Sequence, residues 1–129
     1  MSKFIIQGGK RLEGEVNISG SKNAALPIIA ATILNGKKTT LYNVPDINDV
    51  QTMFEIIKQI GGKIIKKHNK IIIDTSKIHT YEIPDNLMRQ MRSSVILAGA
   101  LIGKYHQARF SCPGGCDIGA RPIDLHLKA

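Results

Sequence analysis

Cysteine is nearly absent from this sequence, aromatic residues are sparse, and no long apolar run occurs. The two cysteines, Cys112 and Cys116, are too few and too close together for a disulfide framework. No His or Cys neighbours give the spacing of a zinc site, so neither a metal nor a cofactor is expected. Free thiols point to a reducing compartment. Nothing approaches the roughly 18 apolar residues of a membrane span, and Met1 to Gln7 reads as a strand rather than the core of a signal peptide. The expected location is therefore the cytoplasm, with no membrane partner. The aromatic residues Phe4, Tyr42, Phe54, Tyr81, Tyr105 and Phe110 are scattered rather than interleaved with basic ones, which argues against a base-stacking surface for nucleic acid.

What the chain has in excess is positive charge, +8 over 129 residues, with 43% hydrophobic residues, enough to build the core of one ordinary domain. Such charge suits either a basic, non-enzymatic binding module for polyanions or nucleic acid, or an enzyme with small anionic substrates and a solvated lysine face.

In chain order, residues 3–7 and 13–18 read as strands of a hairpin around Gly8-Gly9-Lys10-Arg11. Ser21 or Asn23 then offers an N-cap for a helix over 24–34 stopped by Gly36; with a start near Lys22, Pro27 deprives the Asn23 carbonyl of its helical donor. A strand over 39–44 follows. Asn48 and Gln51 have capping-box spacing, Asp49 suits the positive end of the helix, and Val50, Phe54 and Ile57 repeat as one apolar face of a helix over 49–60. Residues 63–67 and 70–74 form a hairpin around His68-Asn69, where His68 reads as a solvated turn residue. Asp85 caps a third helix over 86–102, on which Arg89 and Arg92 share a face, and 107–112 is a strand in which Cys112 is a small buried hydrophobe. Helix, strand and helix thus recur at an offset of about 70 residues, and the second copy stops unfinished at Ala129, the pattern of a repeat cut short.

The stretch that looks like chemistry is Pro113-Gly114-Gly115-Cys116-Asp117-Ile118-Gly119-Ala120-Arg121-Pro122. Its glycines permit close backbone approach to a ligand, and Pro122 fits the first position of a helix whose free N–H groups, with Arg121, would stabilise an anion beside the Cys116 thiol. Lys22 and Asn23 lie at a second helix N-terminus. Loop composition alone serves equally well a strand-to-helix turn with an incidental cysteine, just as Lys22 alone reads as a solvated lysine and Asn23 as a cap.

Three separated segments carry a resemblance: SGSKNAALPIIAATIL at 19–34, VPDINDVQTMFEIIKQIGG at 44–62 and PGGCDIGARPIDLHL at 113–127. In this order they resemble the N-terminal part of the UDP-N-acetylglucosamine 1-carboxyvinyltransferases, the enolpyruvyl transferases of peptidoglycan synthesis. The resemblance implies an α/β fold of repeated βαβαββ units, an inside-out α/β barrel with helices inside and sheets outside, here truncated. It also implies that residues 1–20 belong with a second domain and 21–129 with part of the first. The implied partners are phosphoenolpyruvate, UDP-N-acetylglucosamine and the missing C-terminal part of the enzyme.

By the same resemblance Cys116 is the catalytic proton donor and the thiol alkylated by a phosphonate epoxide such as fosfomycin. Lys22, Asn23 and Arg121 match the phosphoenolpyruvate site. Asn23, Arg92, Arg121, Pro122, Ile123, Asp124 and Leu125 match the nucleotide-sugar site. The general base and further phosphate-binding arginines lie beyond residue 129, so the chain alone is expected to be inactive. The related shikimate-pathway transferase lacks this cysteine loop, which makes Cys116 the discriminating residue.

Overall fold

The computed structural model describes residues 3–111, 114 and 123–128. Residues 3–20 run irregularly and exposed along the outside, with Phe4 94% and Leu12 94% accessible. The expected hairpin over 3–18 is not formed. Its short apolar runs suit a strand, but a strand needs a partner to satisfy its backbone groups, and none of the described residues supplies one.

Helix α1 (Lys22–Asn35) begins where the chain joins the body of the fold. Ser21 holds the extended N-cap position without a side-chain cap, and its carbonyl accepts from the Ala25 N–H at 2.9 Å. Pro27 lies inside the first turns and leaves the Asn23 carbonyl without its helical donor, as the sequence suggested. The helix stops at Gly36, whose φ of 63° is the left-handed cap glycine adopts most easily. Strand β1 (Lys38–Tyr42) turns at Asn43 into α2 (Asn48–Gln59), followed by β2 (Lys63–Lys67) and β3 (Lys70–Asp74). The capping box is not used. Ile47 is the N-cap, and Gln51 instead donates to Asp46 and accepts from Lys66.

The sheet order is β1-β3-β2, with β3 antiparallel to both neighbours. The flanking strands β1 and β2 are thus parallel, with α2 as their crossover, and the two-residue turn His68-Asn69 folds β3 back between them. Alternation puts Leu41, Ile64, Ile71 and Ile73 on the core face. At the end of β3 the Ser76 hydroxyl and N–H donate to Asp74 at 2.6 and 3.1 Å, and these bonds hold its carboxyl below its ordinary range. Buried Thr75 donates to the Thr32 carbonyl at 2.8 Å, tying the sheet to the last turn of α1.

The expected third helix is broken. A single turn α3 (Asp85–Met88) ends at Arg89, Met91 is extended at φ −147°, and a 3-10 turn over Arg92–Val95 leads into α4 (Ile96–Tyr105). Met88 and Met91, on either side of the break, are both buried in the core. The buried Ser94 hydroxyl donates to the carbonyls of Met91 at 2.6 Å and Met88 at 3.3 Å, offering the backbone a partner other than the helical ladder. Arg89 and Arg92 therefore do not share a helix face; Arg89 pairs with Asp85 at 2.7 Å. The strand expected over 107–112 is, among the described residues, one parallel bridge between Glu82 and Arg109. Helix α5 (Asp124–Lys128) follows.

The core gathers Leu26, Ile29 and Ile33 of α1, Met53, Phe54 and Ile57 of α2, Ile73, and Leu97 and Leu101 of α4. Helix α1 packs against both α2 and α4. Both α1 and α4 also present apolar residues outward, among them Leu34 at 52% and Ile102 at 51% accessibility, so these helices are apolar on more sides than this core covers. Among the described residues no helix is long and apolar enough to cross a membrane.

Candidate anion site at the helix N-termini

The N-terminal ends of α1 and α2 meet. Lys22, the first residue of α1, places its Nζ 2.6 Å from Oδ2 of Asp49 in the first turn of α2, with the two side chains 51% and 31% accessible. The first turn of a helix leaves N–H groups without an intrahelical partner, which favours negative charge near such an end. Asp49 also lines an open cleft with Asn48, Gln51, Thr52, Glu55 and Gln90, so the α2 terminus adjoins the segment between α3 and the 3-10 turn. That segment receives the start of the cysteine loop: the Gly114 N–H donates to the Met88 carbonyl at 3.2 Å, and a Cβ at Gly114 would collide with the Arg89 backbone. The Lys22–Asp49 pair thus borders the cleft that Gln90 also lines, and Gly114 is seated on Met88 and Arg89, just before Gln90 in the chain.

Of the residues singled out in the sequence, Lys22 and Asn23 stand exposed in the first turn of α1. Arg92, half-buried, opens the 3-10 turn two residues beyond Gln90. Ile123 is half-buried ahead of α5, Asp124 opens that helix, and Leu125 is exposed within it. Cys116, Arg121, Pro122 and Cys112 lie outside the described residues. The structure therefore places Lys22 and Asn23 at the α1 terminus beside α2, and the entry to the cysteine loop against Met88 and Arg89. It gives only positions for Ile123, Asp124 and Leu125. Among the described residues no cluster of His, Cys, Asp and Glu could hold a metal ion.

Asp49 is the residue of this group that sequence reasoning missed as a partner. It was legible only as an acidic residue suited to a helix start, because no spacing rule links it to Lys22 on a different helix. Gly114 was legible as a loop glycine, but its reason, close approach to the Arg89 backbone, is tertiary.

Substituting Gly114 tests the anchoring of the loop. Gly114→Ala must move the backbone of either segment, so the hydrogen bond to Met88 is expected to break and amide exchange at residue 114 to accelerate at least about tenfold. Unchanged exchange would show that the loop is not held at this point.

A model of the family described as EPSP synthase (3-phosphoshikimate 1-carboxyvinyltransferase) matches residues 6–129. The chain belongs to the EPSP synthase family. Within it, the similar curated proteins carry a narrower name. UDP-N-acetylglucosamine 1-carboxyvinyltransferase 2 of Caldanaerobacter subterraneus subsp. tengcongensis is 55% identical over 128 residues, 99% of this chain and 31% of the relative. UDP-N-acetylglucosamine 1-carboxyvinyltransferase of Psychrobacter arcticus is 47% identical over 129 residues, 100% of this chain and 31% of the relative. The chain thus spans about a third of the length of the curated relatives it matches. Among solved structures, the enolpyruvyl transferase NikO from Streptomyces tendae superimposes with a TM-score of 0.67 at 28% identity, covering 74% of this chain and 22% of NikO. The α/β unit of this EPSP synthase family member is accordingly part of an enolpyruvyl transferase fold, as the three sequence segments implied.

Proposed function

We propose that this chain forms part of an enolpyruvyl transferase that moves the enolpyruvyl group of phosphoenolpyruvate to the 3-hydroxyl of UDP-N-acetylglucosamine, the entry step of peptidoglycan synthesis in the cytoplasm. The observation that carries this reading is identity of 45–55% over essentially the whole chain to relatives bearing that name. The junction of two helix N-termini at Lys22 supports it, since both substrates are anions.

In this reading the sugar hydroxyl oxygen bonds to C2 of phosphoenolpyruvate, its proton passes to a base, and the Cys116 thiol delivers a proton to the methylene carbon. A proton then leaves the new methyl group, the bond from C2 to the phosphate oxygen breaks, and phosphate departs as the enol double bond re-forms. Such a sequence needs an acid, a base and cations around a substrate rich in negative charge. Cys116 is the acid; Lys22, Asn23 and Arg121 hold phosphoenolpyruvate; Asn23, Arg92 and the 121–125 segment hold the nucleotide sugar. Base and further cations come from the part of a full-length enzyme that this chain does not contain. Residues 1–20 would pack with that part, and 21–129 would belong to the first domain.

The test is to join these 129 residues to the remaining sequence of the Caldanaerobacter relative and assay phosphate release. Release is expected only with phosphoenolpyruvate and UDP-N-acetylglucosamine together, and none from the 129-residue chain by itself. Release that follows shikimate 3-phosphate instead would overturn the assigned acceptor. No release, with tight salt-dependent binding of oligonucleotides, would favour the polyanion-binding module that the +8 charge also permits.

A further inference from the structure

We propose that Asp49 is a positioning residue for Lys22: it holds the ammonium group at the junction of α1 and α2 so that its remaining protons meet the incoming anion. The inference rests on the reading of Lys22 as a phosphoenolpyruvate contact.

An ammonium group carries three donors on a flexible four-carbon stem. Left alone at an exposed helix start, that stem samples many rotamers, and an anionic substrate would have to order it on binding. The ion pair with Asp49 Oδ2, at 2.6 Å from Nζ, supplies that order beforehand. With half of the Lys22 side chain still accessible, the ammonium group keeps an open side for a ligand. Asp49 is itself the steadier partner, because it sits in the first turn of α2, a helix whose Val50, Met53, Phe54 and Ile57 are fully or almost fully buried. The core thus fixes Asp49, and Asp49 fixes Lys22.

The carboxylate has an opposing effect. Its negative charge repels phosphoenolpyruvate, so a purely long-range electrostatic role for Asp49 predicts tighter substrate binding once the charge is removed, whereas a positioning role predicts weaker binding. A role confined to the α2 terminus predicts a lower melting temperature with no change in binding.

The experiment uses the full-length fusion described above and follows acetylation of individual lysines by mass spectrometry, a readout independent of turnover. In the parent protein Lys22 is expected to react several-fold more slowly than exposed Lys37, and phosphoenolpyruvate with UDP-N-acetylglucosamine is expected to slow it further. In Asp49→Ala Lys22 should react faster, and the phosphoenolpyruvate concentration giving half-protection should rise roughly five- to tenfold. The Michaelis constant for phosphoenolpyruvate should rise in parallel while that for the nucleotide sugar stays within about twofold. Asp49→Glu should recover part of the loss. Equal Lys22 reactivity in parent and Asp49→Ala, or tighter phosphoenolpyruvate binding in the variant, overturns the proposal. If Asp49→Ala exposes Lys22 but phosphoenolpyruvate protects it in neither protein, Lys22 is not a substrate contact, and the positioning role falls with that assignment. Persistent turnover in that case would leave the transferase reading itself standing.

Discussion

Cys116→Ser in the full-length fusion is expected to lose most of its turnover, about 10²- to 10⁴-fold, the range general acid catalysis supplies, while Cys116→Asp keeps a substantial part. Serine is the closer match in size, so a residue that only shapes the loop would rank the two variants the other way. Acidity gives the opposite order. A thiol has a reference pKa near 8.5 and a carboxyl near 4, and surroundings can bring either toward neutrality, whereas an aliphatic hydroxyl is far too weak to protonate carbon. The pH optimum of the aspartate variant should fall, because in the proposed site its acid would have to stay protonated beside cations that favour the carboxylate. A phosphonate epoxide should alkylate Cys116 and spare Cys112 in the parent, and the aspartate variant should resist it for want of a thiol. Equal turnover of the serine and aspartate variants, measured as phosphate release across pH, would remove the proton-donor role from Cys116.

Phe54→Ala is expected to destabilise the fold by about 3–5 kcal/mol, a large part of the roughly 5–15 kcal/mol that a domain of this size possesses. The ring is 1% accessible and belongs to the cluster in which α1, α2 and the sheet meet. Lys66 of β2 lies with its Nζ 5.6 Å from the ring centroid, so the loss would also loosen α2 from the sheet edge. Tyr81→Ala, at a ring 41% accessible, serves as the comparison and should cost no more than about 1 kcal/mol. Urea midpoints for the two variants decide the matter; comparable shifts would mean that the packing around Phe54 does not carry the fold. Because α2 also bears Asp49, the Phe54 variant should in addition show faster acetylation of Lys22, linking the core to the site.

Local chemistry determined much of this protein. The period of Val50, Phe54 and Ile57 marked α2, Gly36 marked the end of α1, and the apolar runs around His68-Asn69 marked the β2–β3 hairpin. Each signal acts within a turn or two of chain, where backbone sterics and side-chain spacing dominate. Three segments in order also pointed to the family, and Lys22, Asn23, Arg92 and the loop of Cys116 to its chemistry.

Other features depend on groups far apart in sequence. Periodicity predicted one helix over 86–102, yet the chain forms three pieces there, the buried Ser94 hydroxyl taking up the Met88 and Met91 carbonyls in place of the helical ladder. Two short strand-like runs around Gly8-Gly9-Lys10-Arg11 predicted a hairpin over 3–18, but composition describes only which residues could be buried, and a strand exists only when another strand satisfies its backbone. The pairing of Lys22 with Asp49 and the seating of Gly114 on Arg89 were likewise decided by tertiary packing. A sequence states which charges and glycines are available; the docking of α1 on α2, driven by apolar burial that takes no account of those charges, determines which of them meet.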